Sequence, residues 1–483
     1  MIKIWEFLMI KNKVSEVELF RSLLSNMIDL EHSLCRLSRS IDWNYLEESL
    51  KHLYCEELGR LAKSVRLMVG LSYLKHMKNL SDEEVVERWV ENPYWQYFCG
   101  EEYFQIRCPI HPTLMTKWRN RLGEEDLQKI LEATVRSGIK TKTITAVSMK
   151  KVNVDTTVQE KNITYPTDIK LYYRLIEHLV TFAKKNNINL KQTYLRVGKK
   201  MLRRYSGYCH AKQMKRAAKV CKKMKTNLGR LYRDIERKLC DALLNSTEFV
   251  HLKELVEKGL SQTKTSKNKL YSVHEPHVEC ISKGKAHKRY EFGCKVGFSS
   301  TSKEGFILSA TAFHGNPYDG HTLNKTLTLA EQNIESMGQL QDVYVDLGYR
   351  KHDYTGEAKV HIVGRSRKNL TRTVRKWFNR RSVIEADIGH IKNEHRLDRN
   401  YLKGKEGDKI NVVLSACGYN LRTIYRRIAS IFFVFVQNTA KILNNWLKNF
   451  KNAQKINSHK LKSIICFLAL CLKNLFFRGD YSM

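Results

Sequence analysis

The sequence predicts a mixed α/β protein on three observations. Residues 15–135 carry apolar residues at helical spacing. From about residue 143, short runs of β-branched and apolar residues appear. The later runs alternate with helical segments, which gives the sheet a parallel component and gathers strand ends at one rim.

In the first region Leu19, Leu23, Leu24 and Met27, and then Leu58, Leu61, Val65 and Met68, recur at helical spacing. Ser81-Asp82-Glu83-Glu84 has the form of a helix start, a capping serine followed by an acidic first turn. Pro109 and Pro112 mark a turn before a basic helix, Lys117-Trp118-Arg119-Asn120-Arg121, which Gly123 stops. A helix-turn-helix with such a second helix suits DNA docking; a helix whose basic side chains snorkel over apolar neighbours has the same composition.

Ile144, Ala146 and Ser148, then Lys151-Val152-Asn153-Val154-Asp155, read as strand, with Asp155 at its end. Residues 168–258 return to helical periodicity. Between Lys191 and Lys238 there are 17 Lys and Arg against two acids, Asp234 and Glu236, with Tyr194, Tyr205, Tyr208 and Tyr232 interleaved. A solvated helical face mixes its signs and this one does not, so a phosphate-tracking surface is expected, with Arg203, Arg204, Lys215 and Arg216 among its cations. Strand signals resume at 270–273, 289–296 and 305–310. A helix follows from about Thr322 to Ser336. The run Asp342-Val343-Tyr344-Val345-Asp346 is a strand ending in an acid, and a short helix, a strand at 359–364 and a helix bearing Glu385 complete the set.

Composition narrows the function. Lys and Arg number 85 against 49 Asp and Glu, a formal charge of +36, so a polyanion, nucleic acid first, is the expected partner. At 42% hydrophobic and with only 6 prolines, the chain is a folded body and not a basic tail. Its 12 cysteines show no C-x-x-C pair or zinc spacing, which points to buried thiols in a reducing compartment. Met1-Ile2-Lys3-Ile4-Trp5-Glu6 lacks the form of a signal peptide, and the apolar runs at 428–436 and 463–472 are about half a bilayer span. A cytoplasmic, nucleoid-associated protein without membrane contact is expected.

Three acids carry the candidate chemistry. Asp155 and Asp346 end apolar strands, and Glu385 lies in Phe378-Asn379-Arg380-Arg381-Ser382-Val383-Ile384-Glu385, with Lys392 beyond. On one continuous helix, positions 378, 381, 385 and 392 fall within roughly 60° of one another. That stripe presents a ring, a guanidinium, a carboxylate and an ammonium, a set that suits a metal and phosphate together; a solvated helix with an i,i+4 Arg–Glu pair looks the same. Two acids at strand ends and one on a packed helix can hold Mg²⁺ ions for in-line phosphoryl transfer. Singly, Asp155 and Asp346 also suit a turn or an N-cap, and Asp319, in Gly315-Asn316-Pro317-Tyr318-Asp319-Gly320, is a turn residue that could substitute for Asp346.

Over residues 20–430 the chain resembles the DDE transposases of the bacterial insertion-sequence family five type. The resemblance rests on Ser40-Ile41-Asp42-Trp43, Asn92-Pro93-Tyr94-Trp95-Gln96-Tyr97-Phe98-Cys99-Gly100, Val154-Asp155-Thr156-Thr157-Val158-Gln159-Glu160-Lys161, Tyr165-Pro166-Thr167-Asp168, Gly315–His321 and Val345-Asp346-Leu347-Gly348-Tyr349. The family's Y-(2)-R-(3)-E-(6)-K signature appears as Phe378, Arg381, Glu385 and Lys392, with a phenylalanine in place of the tyrosine. The resemblance implies a ribonuclease-H-like core and Asp155, Asp346 and Glu385 as the Mg²⁺ (alternatively Mn²⁺) triad. It also implies Arg381 and Lys392 on DNA ends, and the basic helix read above offers Lys117, Arg119 and Arg121 as further DNA contacts. The organisation expected is a helical DNA-binding domain at 1–135 and a core at 136–427, interrupted by a basic helical insertion at about 160–265. A helical extension at 428–483 completes it.

The function so implied is binding of terminal inverted repeats, cleavage of the element's ends and joining of 3′-hydroxyls to target DNA. Double-stranded DNA, both element ends and target, is the partner, and a homodimer is expected in the DNA complex. Two alternatives stand beside it: a catalytically silent DNA-binding protein derived from such an enzyme, for which Phe378 speaks, and a metal-dependent nuclease without strand transfer.

Overall fold

The computed structural model describes residues 8–9, 22–54, 60–263, 265–282, 289–364 and 371–453. Expectations resting on Met1–Glu6, Leu19, Leu58 and the apolar run at 463–472 lie outside the described residues. Two compact units divide the chain, Met1–Tyr425 and Arg426–Met483. The described part of the second, 426–453, is helical.

The first unit begins with helices. They include α1 (Ser33–Ser40), α2 (Trp43–Leu50), α3 (Val65–Met77), α4 (Asp82–Glu91), α5 (Pro112–Arg119) and α6 (Glu124–Lys140). The expected start at Ser81 is a capping box: Ser81 Oγ accepts from the Glu84 N–H, and the Glu84 carboxylate accepts from the Ser81 N–H. Elsewhere the boundaries differ. α5 starts at Pro112, whose missing N–H costs nothing in a first turn, and Gly123 opens α6 where a stop was expected. Leu61 belongs to a two-residue strand, and Ala146–Met149 is a single helical turn, not strand.

The sheet comprises β1 (Lys151–Lys161), β2 (Glu279–Ile281), β3 (Glu291–Thr301), β4 (Ile307–Phe313), β5 (Asp342–Val345), β6 (Lys359–Ile362) and β7 (Arg399–Asn400). The segment 270–273 is not a strand. β3 lies antiparallel to β1, β2 and β4, whereas β5 pairs parallel with β1 and β6 parallel with β5. The β1–β3 pairing is close enough that a Cβ on Gly293 would meet the Gln159 carbonyl oxygen at 1.8 Å, so only glycine fits that register. On its other side β1 pairs with β5 at residues 151–153 and with β7 at 160–161. Between those two ladders β1 has no partner there among the described residues.

Helices cover the sheet: α11 (Leu323–Ile334), α12 (Arg372–Arg380), α13 (Val383–Glu394) and the first-unit part, up to Tyr425, of α14 (Gly404–Ala453). The edge strand β4 is closed by Asn420 of α14, which accepts from the Ile307 N–H and donates to the Ile307 carbonyl, both at 2.9 Å. Between β1 and β2 stand α7 (Asp168–Lys185), α8 (Leu195–His210), α9 (Met214–Glu236) and α10 (Thr247–Ser261). They enclose a core of their own, including Leu175, Leu179, Met224, Leu228, Phe249 and Val256. Burial of each such side chain stabilises by about 1.5–3 kcal/mol.

Candidate active site

Val152, Val154 and Val158 are fully buried, which makes β1 a central strand. Asp155 was expected at its end, but β1 runs six residues further, because Thr156 to Glu160 continue the ladder with β3. The strand that does end here is its neighbour. β5 pairs with β1 only as far as Tyr344, and Asp346 follows as the cap of the turn Leu347–Tyr349, accepting from the Gly348 N–H at 2.9 Å. Asp155 therefore faces the rim through the gap its neighbour leaves.

Glu385 comes from α13. The expected single helix from Phe378 to Lys392 is interrupted at Arg381–Ser382, so Phe378 lies on α12 and Glu385 and Lys392 on α13. A buried clamp fixes that break. Asn153, fully buried on β1, donates to the Arg380 carbonyl at 3.0 Å and accepts from Ser302 at 2.8 Å. The Arg380 guanidinium in turn donates to the carbonyls of Ser302 and Lys303.

The clamp carries Arg381 into the middle of the acids. Its guanidinium meets Asp155 at 3.0 Å and Asp346 at 3.5 Å through one nitrogen, and Glu385 at 2.5 Å through another. Its side chain is 12% exposed, against 59% for Glu385. Arg381 was expected to face a DNA end; here it is the common cation of three carboxylates far apart in the chain. Among the described residues no group of three or more His, Cys, Asp or Glu is arranged to hold a metal ion. The acids converge on the guanidinium and not on a shared ion position.

A fourth acid adjoins them. Asp319 accepts from Thr156 at 2.8 Å and pairs with buried Lys295 at 3.0 Å, so its charge is already answered. A Cβ on Gly348 would meet Asp346 Oδ1 at 3.0 Å and Asp319 Oδ2 at 3.3 Å, so the glycine keeps the space between these two carboxylates open. Behind them Tyr349 is fully buried; burial, with the negative charge of Asp155, Asp319 and Asp346, pushes its phenol well above the usual range. Asn153, Ser302 and Lys295 carry no signal in the sequence, since their roles arise from contacts between distant segments.

Phe378 packs edge-on against Tyr344 of β5, ring centroids 6.1 Å apart, and Tyr344 stacks on His361 at 5.0 Å. Its ring is thus engaged within the protein. Lys392 lies in the last turn of α13, two turns from Glu385.

The remaining expected cations divide. Arg119 is 2% exposed and forms a two-point pair with Asp82 at 2.9 and 2.5 Å, with Lys75 on the same carboxylate at 2.8 Å. A DNA contact by Arg119 is therefore corrected to a structural ion pair. Trp118 is buried too and donates to the Tyr54 hydroxyl, while Lys117 is exposed and Arg121 half-buried. By contrast Arg203 and Arg204 on α8, and Lys215 and Arg216 on α9, are all exposed.

Two family models match the chain: a transposase domain (DUF772) over residues 22–121 and a transposase DDE domain over residues 259–421. The chain belongs to the DDE transposases. The transposase is also 48% identical, over 196 residues, to the uncharacterized protein ORF8 in the nfe locus of Rhizobium meliloti; the match covers 41% of the transposase and 94% of that protein. No solved structure matches it. The second domain match contains Asp346, Glu385, Arg381 and Lys392, while Asp155 and the helices α7–α9 lie between the two. Among the described residues no helix is long and apolar enough to cross a membrane.

Proposed function

We propose that this transposase cuts the ends of its own insertion sequence and joins the 3′-hydroxyls to target DNA, with Asp155, Asp346 and Glu385 as the residues that hold divalent metal, Mg²⁺ or Mn²⁺. The strand order β4-β3-β1-β5-β6, with β3 alone antiparallel to its neighbours, supports a ribonuclease-H-like core. The observation that carries the reading is the convergence of three distant carboxylates on one cation, Arg381. Clustered carboxylates repel one another unless a positive charge joins them. Arg381 answers that charge here, and oxygen ligands alone suit a hard divalent ion.

Bound metal supplies activation of the attacking oxygen and charge stabilisation of the leaving one. The chain's own groups do the rest. Asn153 and Arg380 fix the α12–α13 break and so aim Arg381 and Glu385 at the rim. Arg381 can exchange its carboxylate partners for a DNA phosphate, which guanidinium forks bind in two-point fashion. Lys392 extends the same cationic line along α13.

A pre-cut end offered with plasmid target tests the reading. Glu385→Gln should lower joined product by on the order of 10³-fold or more while retaining DNA binding. Joined product at the unaltered level would remove the carboxylate from the chemistry and leave a silent DNA-binding protein. Cleavage of DNA without any joined product from the unaltered chain would identify a nuclease.

A further inference from the structure

A second cleft opens where β1 leaves the sheet. It encloses about 1050 Å³ between the loop 162–167, helices α7 and α8, and the segment 271–274. Its lining begins at Asn162, just past the end of β1 and seven residues beyond Asp155, on the order of 20 Å away at ~3.3 Å per residue. Tyr165, Pro166 and Thr167 of the Tyr165-Pro166-Thr167-Asp168 motif form part of its wall and have no role in the phosphoryl-transfer site.

Two features set the chemistry of this cleft. Tyr165 is 63% exposed, yet its ring is held: Phe292 meets it edge-on at 5.5 Å, and the same phenylalanine contacts Tyr271, also at 5.5 Å. The Lys170 ammonium donates to the Tyr165 carbonyl at 3.3 Å, which fixes the loop that carries the ring. The lining is also cationic. Glu177 is paired with Arg174 at 2.6 Å, and among the described residues no carboxylate pairs with Lys170, Lys199 or Arg399. A propped, exposed aromatic ring beside unpaired cations is the arrangement that takes a base on its face and the adjoining phosphate on an ammonium or guanidinium. Paired bases inside a duplex are stacked on one another and offer no face to such a ring.

We propose that this cleft binds unpaired DNA, a short single-stranded segment running away from the catalytic rim. The inference rests on the transposase reading and deepens it, because it names the form of DNA held beside the cut. Stacking on Tyr165 supplies the strand preference, and Lys170, Lys199 and Arg399 hold the backbone.

Fluorescence anisotropy on the full-length protein, with a short labelled oligothymidylate and a blunt duplex as probes, tests the proposal. Tyr165→Ala should weaken oligothymidylate binding roughly tenfold or more, and Tyr165→Phe, which keeps the ring, should bind within about twofold of the unaltered protein. Duplex affinity should not move in either variant. Lys199→Gln should flatten the salt dependence of oligothymidylate binding by about 0.7 in slope. Unchanged oligothymidylate affinity in Tyr165→Ala, or an equal loss on both probes, would overturn the assignment. Duplex binding by the unaltered protein without oligothymidylate binding would sink this inference alone, and binding of neither probe would take the DNA-binding reading down with it.

Discussion

Two arginine-rich segments look alike on paper and differ in the fold. Lys117–Arg121 places its central arginine inside the helical region, where Arg119 and Lys75 share the carboxylate of Asp82. Helices α8 and α9 instead turn Arg203, Arg204, Lys215 and Arg216 outward from an apolar core that they share with α7 and α10. The difference lies in the acids. Asp82 comes from a different helix and meets Arg119 only after folding, whereas α8 and α9 carry few acids of their own, Asp234 being occupied by Lys238. A cation is available to DNA when folding has not already supplied it with a carboxylate.

The largest effect that would sharpen this contrast is on stability. Asp82→Asn leaves two cations buried without a counter-charge and should cost about 3–5 kcal/mol in denaturant unfolding. A loss under about 1 kcal/mol would mean that Arg119 and Lys75 find water or other partners, and the segment would return to the DNA-contacting class. Next in size is binding. Replacing Arg203, Arg204, Lys215 and Arg216 together with Gln should reduce the slope of log affinity against log salt by about 3–4 on duplex DNA. The same four changes should leave stability within about 0.5 kcal/mol per site. An unaltered slope with normal stability would assign α8 and α9 to solvent and erase the comparison.

The smallest effect is in acid. Burial alone would raise the Asp82 carboxyl, but hydrogen bonds and charge from Arg119, together with Lys75, outweigh it and hold it well below the usual carboxylate range. A carboxyl depressed on folding contributes stability that is full above its unfolded value, about 3.9, and is lost as pH falls from there toward the depressed value. Unfolding free energy of the unaltered protein should therefore fall more steeply below about pH 4 than that of Asp82→Asn. Parallel curves would show that this carboxylate does not link folding to protons.

Much of the candidate site's arrangement was legible in the residues. Asp346 could be placed because a short apolar run followed by an acid and a glycine is a local signal, and the capping box at Ser81 is equally local. Glu385 and Lys392 were legible through helical spacing, which holds within α13 even though the helix breaks before it. Asp155 was found for a partly mistaken reason: the strand continues past it, and what terminates there is β5, almost two hundred residues later in the chain. Periodicity reports how a residue stands to its own element. It is silent on where a neighbouring strand stops.

By itself the sequence determined most of the elements, the net positive charge and which acids were candidates for the site. Those follow from short-range backbone preference and side-chain chemistry, which act over a few residues. Tertiary structure alone decided which charges were spent. Arg119 disappeared into an ion pair, Asp319 was answered by Lys295, and Arg381 was drawn among three carboxylates by a clamp that begins at buried Asn153. The reason is physical: a buried charge is stable only beside its opposite, and that opposite comes from whichever distant segment the packing of the core brings alongside.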